Sequence, residues 1–186
     1  MGQYYVAIIL GPAPEGCEPR EFIRAWVDSY SYGCGSKLME HGYIGNGFTN
    51  AVMRLLSPEG PFWKSRLVWA GDYADPEQGD MTLYEQSAEL DEGKGMTPSG
   101  EALSAEYRFV VNHTKKEYVD LNKVKEDERG FRIHPLVLLT ADGNGRGGGD
   151  YGGRNEHLVG TWARDVISVE KYAPEGYSEL VCGFAE

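Results

Sequence analysis

Three groups of residues in this 186-residue chain have types and spacings that could do chemistry. The first is the glycine-rich run TADGNGRGGGDYGGRN at 140–155, which follows the apolar run PLVLL. Gly143, Gly145 and Gly148 match G-x-G-x-x-G. That pattern holds a pyrophosphate only when a helix opens at its last glycine and points its N–H groups at the anion. The residues that follow, GDYGGRNEHLVGTW, cannot begin a stable helix, so the dinucleotide reading fails. No G-K-[ST] exists to complete a phosphate-binding loop of the Walker type. A calcium loop fails as well. Asp142 and Asn144 fit its first and third positions, but Arg146 falls fifth and Gly153 falls where a bidentate Glu is required. Two readings remain for a loop carrying Asp142, Asn144, Arg146, Asp150, Tyr151 and Arg154. It is an exposed connection, or a lid whose bare backbone N–H groups can approach an anion.

The second group is a repeated pattern, W-A-x-D, at Trp69-Ala70-Gly71-Asp72 and Trp162-Ala163-Arg164-Asp165. Trp in a strand is usually core, with its N–H satisfied nearby and an Asp capping the following turn. The functional reading places Trp69 and Trp162 on either side of a pocket, stacking a planar ring. Asp72 and Asp165 would then accept from its N–H or sugar hydroxyl groups. Base stacking on one aromatic side chain is worth about 1–3 kcal/mol, so two faces would matter.

The third group is the histidines. His41, His113, His134 and His157 lie far apart and form no metal-binding pair, so no metal site is expected. His113 falls in a predicted turn beside Lys115 and Lys116. With Asp150 or Asp165, His113 and Lys115 would form a general base and charge stabiliser for cleaving a phosphodiester or glycosidic bond. The alternative is a hairpin tip with solvated side chains. No G-x-S-x-G is present for an elbow-type serine hydrolase.

These residues need elements to position them. QYYVAIIL at 3–10 reads as a strand. EPREFIRAWVDSY at 18–30 reads as an amphipathic helix with Phe22, Ile23, Trp26, Val27 and Tyr30 on one face. A helix follows Asn46, its N-cap, with Phe48, Ala51, Val52, Leu55 and Leu56 at helical spacing. SRLVWAG is a strand; MTLYEQSAEL fits either strand or helix. Residues 91–104 are polar and hold glycines and a proline, which marks a linker. EYRFVV and EYVDL form a hairpin around NHTKK, and HPLVLLT, HLVGTWA, DVISVE and SELVCGF read as further strands. The fold class expected is α+β, with antiparallel-rich sheets and a few helices.

The chain divides into a first half at 1–90, the linker at 91–104 and a β-rich second half at 105–186. Tyr5 and Tyr107, His41 and His134, Gly45-Asn46-Gly47 and Gly143-Asn144-Gly145, and the two W-A-x-D copies run in the same order through both. That order predicts a duplicated unit packed as one body, with the glycine-rich run replacing the first half's helix. The segments MGQYY, KLMEHGYIGN, VWAGDYAD, VNHTKKEYVDL and TADGNGRGGGDY are similar to those of a group of uncharacterised microbial and phage-associated proteins. The resemblance covers most of the chain and implies no fold or activity. Its setting implies a role in sequestering a nucleotide signal, in phage or bacterial immune signalling.

Composition bounds the partners. A hydrophobic fraction of 41% suits a packed core, and no apolar run is long enough for a membrane span. The N-terminus has no basic stretch of the kind that opens a signal peptide, and the cysteine count is odd, so a cytoplasmic protein with inert thiols is expected. A net charge of −11 disfavours long nucleic acid and anionic membranes. It leaves room for a small anionic ligand held by local groups. No cofactor is called for, and a homo-oligomer is compatible with the sequence. The preferred function is therefore binding of a nucleotide-like small molecule. The alternatives are a metal-independent phosphodiesterase or glycohydrolase, and an acidic protein-interaction module.

Overall fold

A computed structural model of the chain describes residues 3–12, 21–76, 80–90, 92–143 and 151–184. Strand β1 (Tyr5–Pro12) is buried along all but its last residue. Tyr5, Ala7 and Ile9 face the larger core, and Val6, Ile8 and Leu10 face a smaller one. An apolar run of this kind, without alternation, is what a strand covered on both faces requires.

Strand β2 (Glu21–Val27) pairs antiparallel with β1 through a register shift at Ile9/Leu10. This corrects the helix expected there. Ile23, Ala25 and Val27 are buried while Phe22 and Arg24 are exposed, a period of two. Phe22, Ile23, Trp26 and Val27 satisfy helical spacing too, and pairing with β1 decides between them.

Helix α1 (Leu38–His41) is a single turn. Helix α2 (Gly47–Leu55) begins where expected: Asn46 Oδ1 accepts from the Phe48 N–H at 2.8 Å. Strand β3 (Ser65–Gly71) then lies antiparallel to β1 on the side away from β2. Helix α3 (Leu83–Glu89) resolves the ambiguous MTLYEQSAEL segment, because Thr82 and Glu85 form a capping box. The predicted hairpin is β4 (Phe109–Asn112) and β5 (Glu117–Asp120).

HPLVLLT is a helix rather than a strand. In α4 (Pro135–Leu139), Pro135 occupies the first turn, His134 Nδ1 accepts from the Leu136 N–H, and all five residues are buried. A short apolar run carries no period to separate buried helix from buried strand. Strand β6 (Ala141–Asp142) follows, parallel to β3. HLVGTWA is not a strand either. It forms a helical turn at Glu156–Leu158 and then runs beside α4, with the Gly160 and Trp162 N–H groups donating to Leu138 and Leu139 carbonyls. Strand β7 (Val166–Glu170) is as expected, whereas SELVCGF contributes only β8 (Ser178–Glu179), parallel to β5.

The strands form one eight-stranded sheet in the order β2-β1-β3-β7-β4-β5-β8, with β6 beside β3. The fold is α+β with a mostly antiparallel sheet. Both halves share it through the β3–β7 pair, Ser65↔Ile167 and Arg66↔Val166. Residues 98–101 lie across α2, where Tyr32, Asn50 and Arg54 donate to the carbonyls of Pro98, Ser99, Gly100 and Glu101. Within it β2-β1-β3 and β5-β4-β7 follow the same chain order, although β2 is an edge strand whereas β5 is flanked by β8. The W-A-x-D copies do not occupy corresponding places in it. Trp69 lies inside β3, whereas Trp162 precedes β7. A helix, α4, also precedes β7, and the centre of the glycine-rich run, 144–150, lies outside the described residues. No helix of the described residues is long and apolar enough to cross a membrane.

Candidate functional site

The indoles of the W-A-x-D motifs are sealed. Trp69 and Trp162 are both 0% exposed and belong to one core cluster. Trp69 packs on Phe48 and His41, and its N–H donates to His41 Nε2 at 2.9 Å. The Trp162 N–H donates to Glu117 Oε2 at 3.0 Å. With no face open and each N–H satisfied, neither ring can stack a ligand, which corrects the paired-platform expectation. The acids do not converge. Asp72 caps the start of β1, accepting from the Tyr4 N–H at 2.9 Å. Asp165 accepts from Asn112 Nδ2 at 2.8 Å.

The His113 group is assembled but committed to structure. Ser168 Oγ donates to Glu170 Oε1 at 2.7 Å, so His113 Nε2 must carry the proton it shares with Ser168 at 2.8 Å. His113 Nδ1 then accepts from the Tyr177 hydroxyl at 3.1 Å. Burial first, and the Lys64 charge second, hold the imidazole below its ordinary pKa. Lys115 is exposed in the hairpin turn, its N–H bonded to Asn112 Oδ1. The His113 ring thus already spends both nitrogens on hydrogen bonds within the fold. Asp150, the other proposed partner, lies outside the described residues, as do Asn144 and Arg146.

The two ends of the glycine-rich run meet at a cleft of about 330 Å³. Its walls include Tyr5 from β1, Asp142 and Gly143 at the end of β6, Tyr151, and Gly160 with Ala163. Asp142 Oδ2 pairs with Arg164 Nη2 at 3.0 Å, both about one-third exposed. The Tyr151 hydroxyl lies 2.7 Å from the Arg154 carbonyl and 2.6 Å from that of Phe184, which holds its ring at the rim.

Gln3 lies behind this cleft. It is 0% exposed, and neither Oε1 nor Nε2 has a hydrogen-bond partner among the described residues. Two glycines make room for it. A Cβ on Gly143 would lie 2.7 Å from both Gln3 Nε2 and the Tyr5 hydroxyl, and one on Gly71 would overlap the Gln3 amide. A primary amide offers two donors and an acceptor, and leaving them unmade in a protein interior costs about 1–3 kcal/mol. Such a group in a folded protein calls for a ligand or a water as its explanation.

No protein-family model, curated protein or solved structure matches the chain. The site therefore rests on geometry alone. Of the predicted binding residues, Tyr151 lines the cleft, while Trp69, Asp72, Trp162 and Asp165 do not. Asp142, named in the glycine-rich loop, lines it too. Gln3, Tyr5 and Gly160 were not foreseen. One signal existed for Gln3: it is the single amide opening an otherwise apolar and aromatic strand run, QYYVAIIL. Among the described residues no group of three or more His, Cys, Asp or Glu could hold a metal ion.

Proposed function

We propose that the protein binds a small nucleotide-like ligand in the cleft between β1, β6 and the Tyr151 segment. The observation that carries this reading is the buried, unpartnered amide of Gln3, which lies directly behind the Gly143 wall of the cleft and would meet a ligand when that wall shifts. A nucleobase edge alternates donors and acceptors, which matches a primary amide. Tyr5 and Tyr151 offer aromatic surface, and Arg164 brings a cation to the mouth. The volume of about 330 Å³ suits one nucleoside-sized molecule and falls within the range of ligand pockets.

Holding the ligand, rather than converting it, is favoured by the lining. Its described titratable members are Tyr5, Asp142 and Tyr151, and Asp142 is paired with Arg164. A protein of this kind would sequester a nucleotide. Native mass spectrometry and thermal denaturation against linear and cyclic nucleotides test the reading. At least one nucleotide should raise the melting temperature and be released intact on heating. Gly143→Ala should abolish the shift without unfolding the protein. Absence of any shift across the panel, in protein that melts cooperatively, would remove this function.

A further inference from the structure

A second hollow, of about 200 Å³, lies on the side of the smaller core, between β1, β2 and α3. Its walls include the aromatic residues Trp26, Tyr30 and Tyr84 and the acid Asp28, with Val6 and Ala88 as apolar neighbours. Tyr30 is 65% exposed, so the aromatic surface is open to solvent. Asp28 Oδ1 accepts from the Tyr30 N–H at 3.2 Å, which anchors the carboxylate next to that ring. A second acid is near. Burial raises the pKa of Tyr84 most, and the charges of Asp72 and then Asp28 raise it further. Lys and Arg are missing from the described lining.

The protein's own cations cover other rings. Arg24 lies over Phe62 at 5.3 Å, Lys94 over Phe22 at 5.5 Å and Lys64 over Trp63 at 4.2 Å. Among the described residues none lies over Trp26, Tyr30 or Tyr84. Aromatic faces attract a cation through their negative quadrupole, and a nearby carboxylate adds direct charge attraction. The net charge of −11 concentrates cations around the whole molecule.

We propose that this hollow binds the head group of a small organic cation, a quaternary or alkylated ammonium. Such a group needs no acceptor for N–H bonds. Its methyl groups suit Val6 and Ala88, and its charge suits the three rings and Asp28. The hollow shares Tyr5 with the cleft at Gln3, and the assignment draws on no polar group of that cleft.

Isothermal titration and tryptophan fluorescence with tetramethylammonium, choline and the neutral isostere of choline, in which carbon replaces nitrogen, test it. Both cations should bind, the isostere about tenfold more weakly or not at all, and added salt should weaken the cations alone. Asp28→Asn keeps a capping oxygen for Tyr30 and removes the charge, while Tyr30→Ala removes an exposed ring. Each should weaken choline several-fold with the melting temperature unchanged. Equal binding of choline and its isostere, or choline binding untouched by both substitutions, would overturn the proposal. A peptide bearing trimethyl-lysine separates the two sources of this head group. Peptide affinity comparable to that of choline supports a free small molecule, and affinity far above it would overturn that assignment in favour of a protein side chain.

Discussion

Trp69 and His41 form a buried donor–acceptor pair: the indole N–H meets His41 Nε2 at 2.9 Å, with both residues fully enclosed. An indole N–H can only donate, so Nε2 must be the acceptor and Nδ1 carries the proton. That proton is directed at the Gly35 carbonyl, 2.9 Å away. The pair holds His41 neutral. Burial, the largest cause, pushes its pKa down from 6.5 to about 4. His134 is held the same way. Its Nδ1 accepts from the Leu136 N–H, its Nε2 lies 3.1 Å from Met53 Sδ, and burial takes its pKa to about 3.

The first prediction concerns pH. Both imidazoles bind a proton more weakly in the folded chain than in the unfolded one. Stability is therefore full above the unfolded value near 6.5 and falls as pH drops toward about 4 for His41 and about 3 for His134. The loss should amount to a few kcal/mol per group. Urea denaturation at a series of pH values reads it directly. His134→Asn replaces the capping Nδ1 with an amide oxygen that can accept from the Leu136 N–H and removes one titrating group, so its profile should be shallower in that window. A wild-type profile flat from neutral pH down to about pH 4 would contradict the buried neutral assignments.

A second prediction concerns the hairpin that carries His113. Asn112 is fully buried; its Oδ1 accepts from the Thr114 and Lys115 N–H groups and its Nδ2 donates to Asp165. Asn112→Ala should cost about 2–3 kcal/mol, because it strands two turn donors and one carboxylate. A double-mutant cycle with Asp165→Ala should be non-additive, the double variant losing less than the sum of the two singles. Exact additivity in chemical denaturation would show that the bond contributes nothing.

The third prediction isolates α3. Thr82 Oγ1 accepts from the Glu85 N–H at 3.1 Å, and Glu85 Oε2 accepts from the Thr82 N–H at 2.8 Å. Thr82→Ala should lower stability by about 1 kcal/mol, the usual value of an N-cap. Because Tyr84 lies in the first turn of α3, amide exchange of residues 83–89 should quicken more than that of β1.

Much of the sheet was legible, because the runs that became β1, β3, β4, β5 and β7 are bounded by turns or linkers and rich in branched or aromatic residues. The capping chemistry of Asn46 was equally readable. The errors share a cause. Glu21–Val27 satisfied two periods at once, and Pro135–Leu139 satisfied neither, so partners elsewhere in the chain decided both. The site was legible only at its edge. The glycine-rich run pointed to Asp142 and Tyr151, whereas W-A-x-D drew attention to rings that the fold encloses. Gln3 becomes meaningful only when β3 and β6 bring Gly71 and Gly143 against it, a juxtaposition of residues far apart in sequence.

The most direct measurement compares wild type with Gln3→Met, which keeps the side-chain length and removes the amide. If the amide exists for a ligand, the ligand-free variant should be more stable by about 1–3 kcal/mol. For a chain of this length that is a rise of about 2–12 °C in melting temperature, and the variant should show no stabilisation by the nucleotides that stabilise wild type. A variant that is less stable than wild type, or that keeps the full nucleotide-induced shift, would contradict the binding role of Gln3 and of the cleft in front of it.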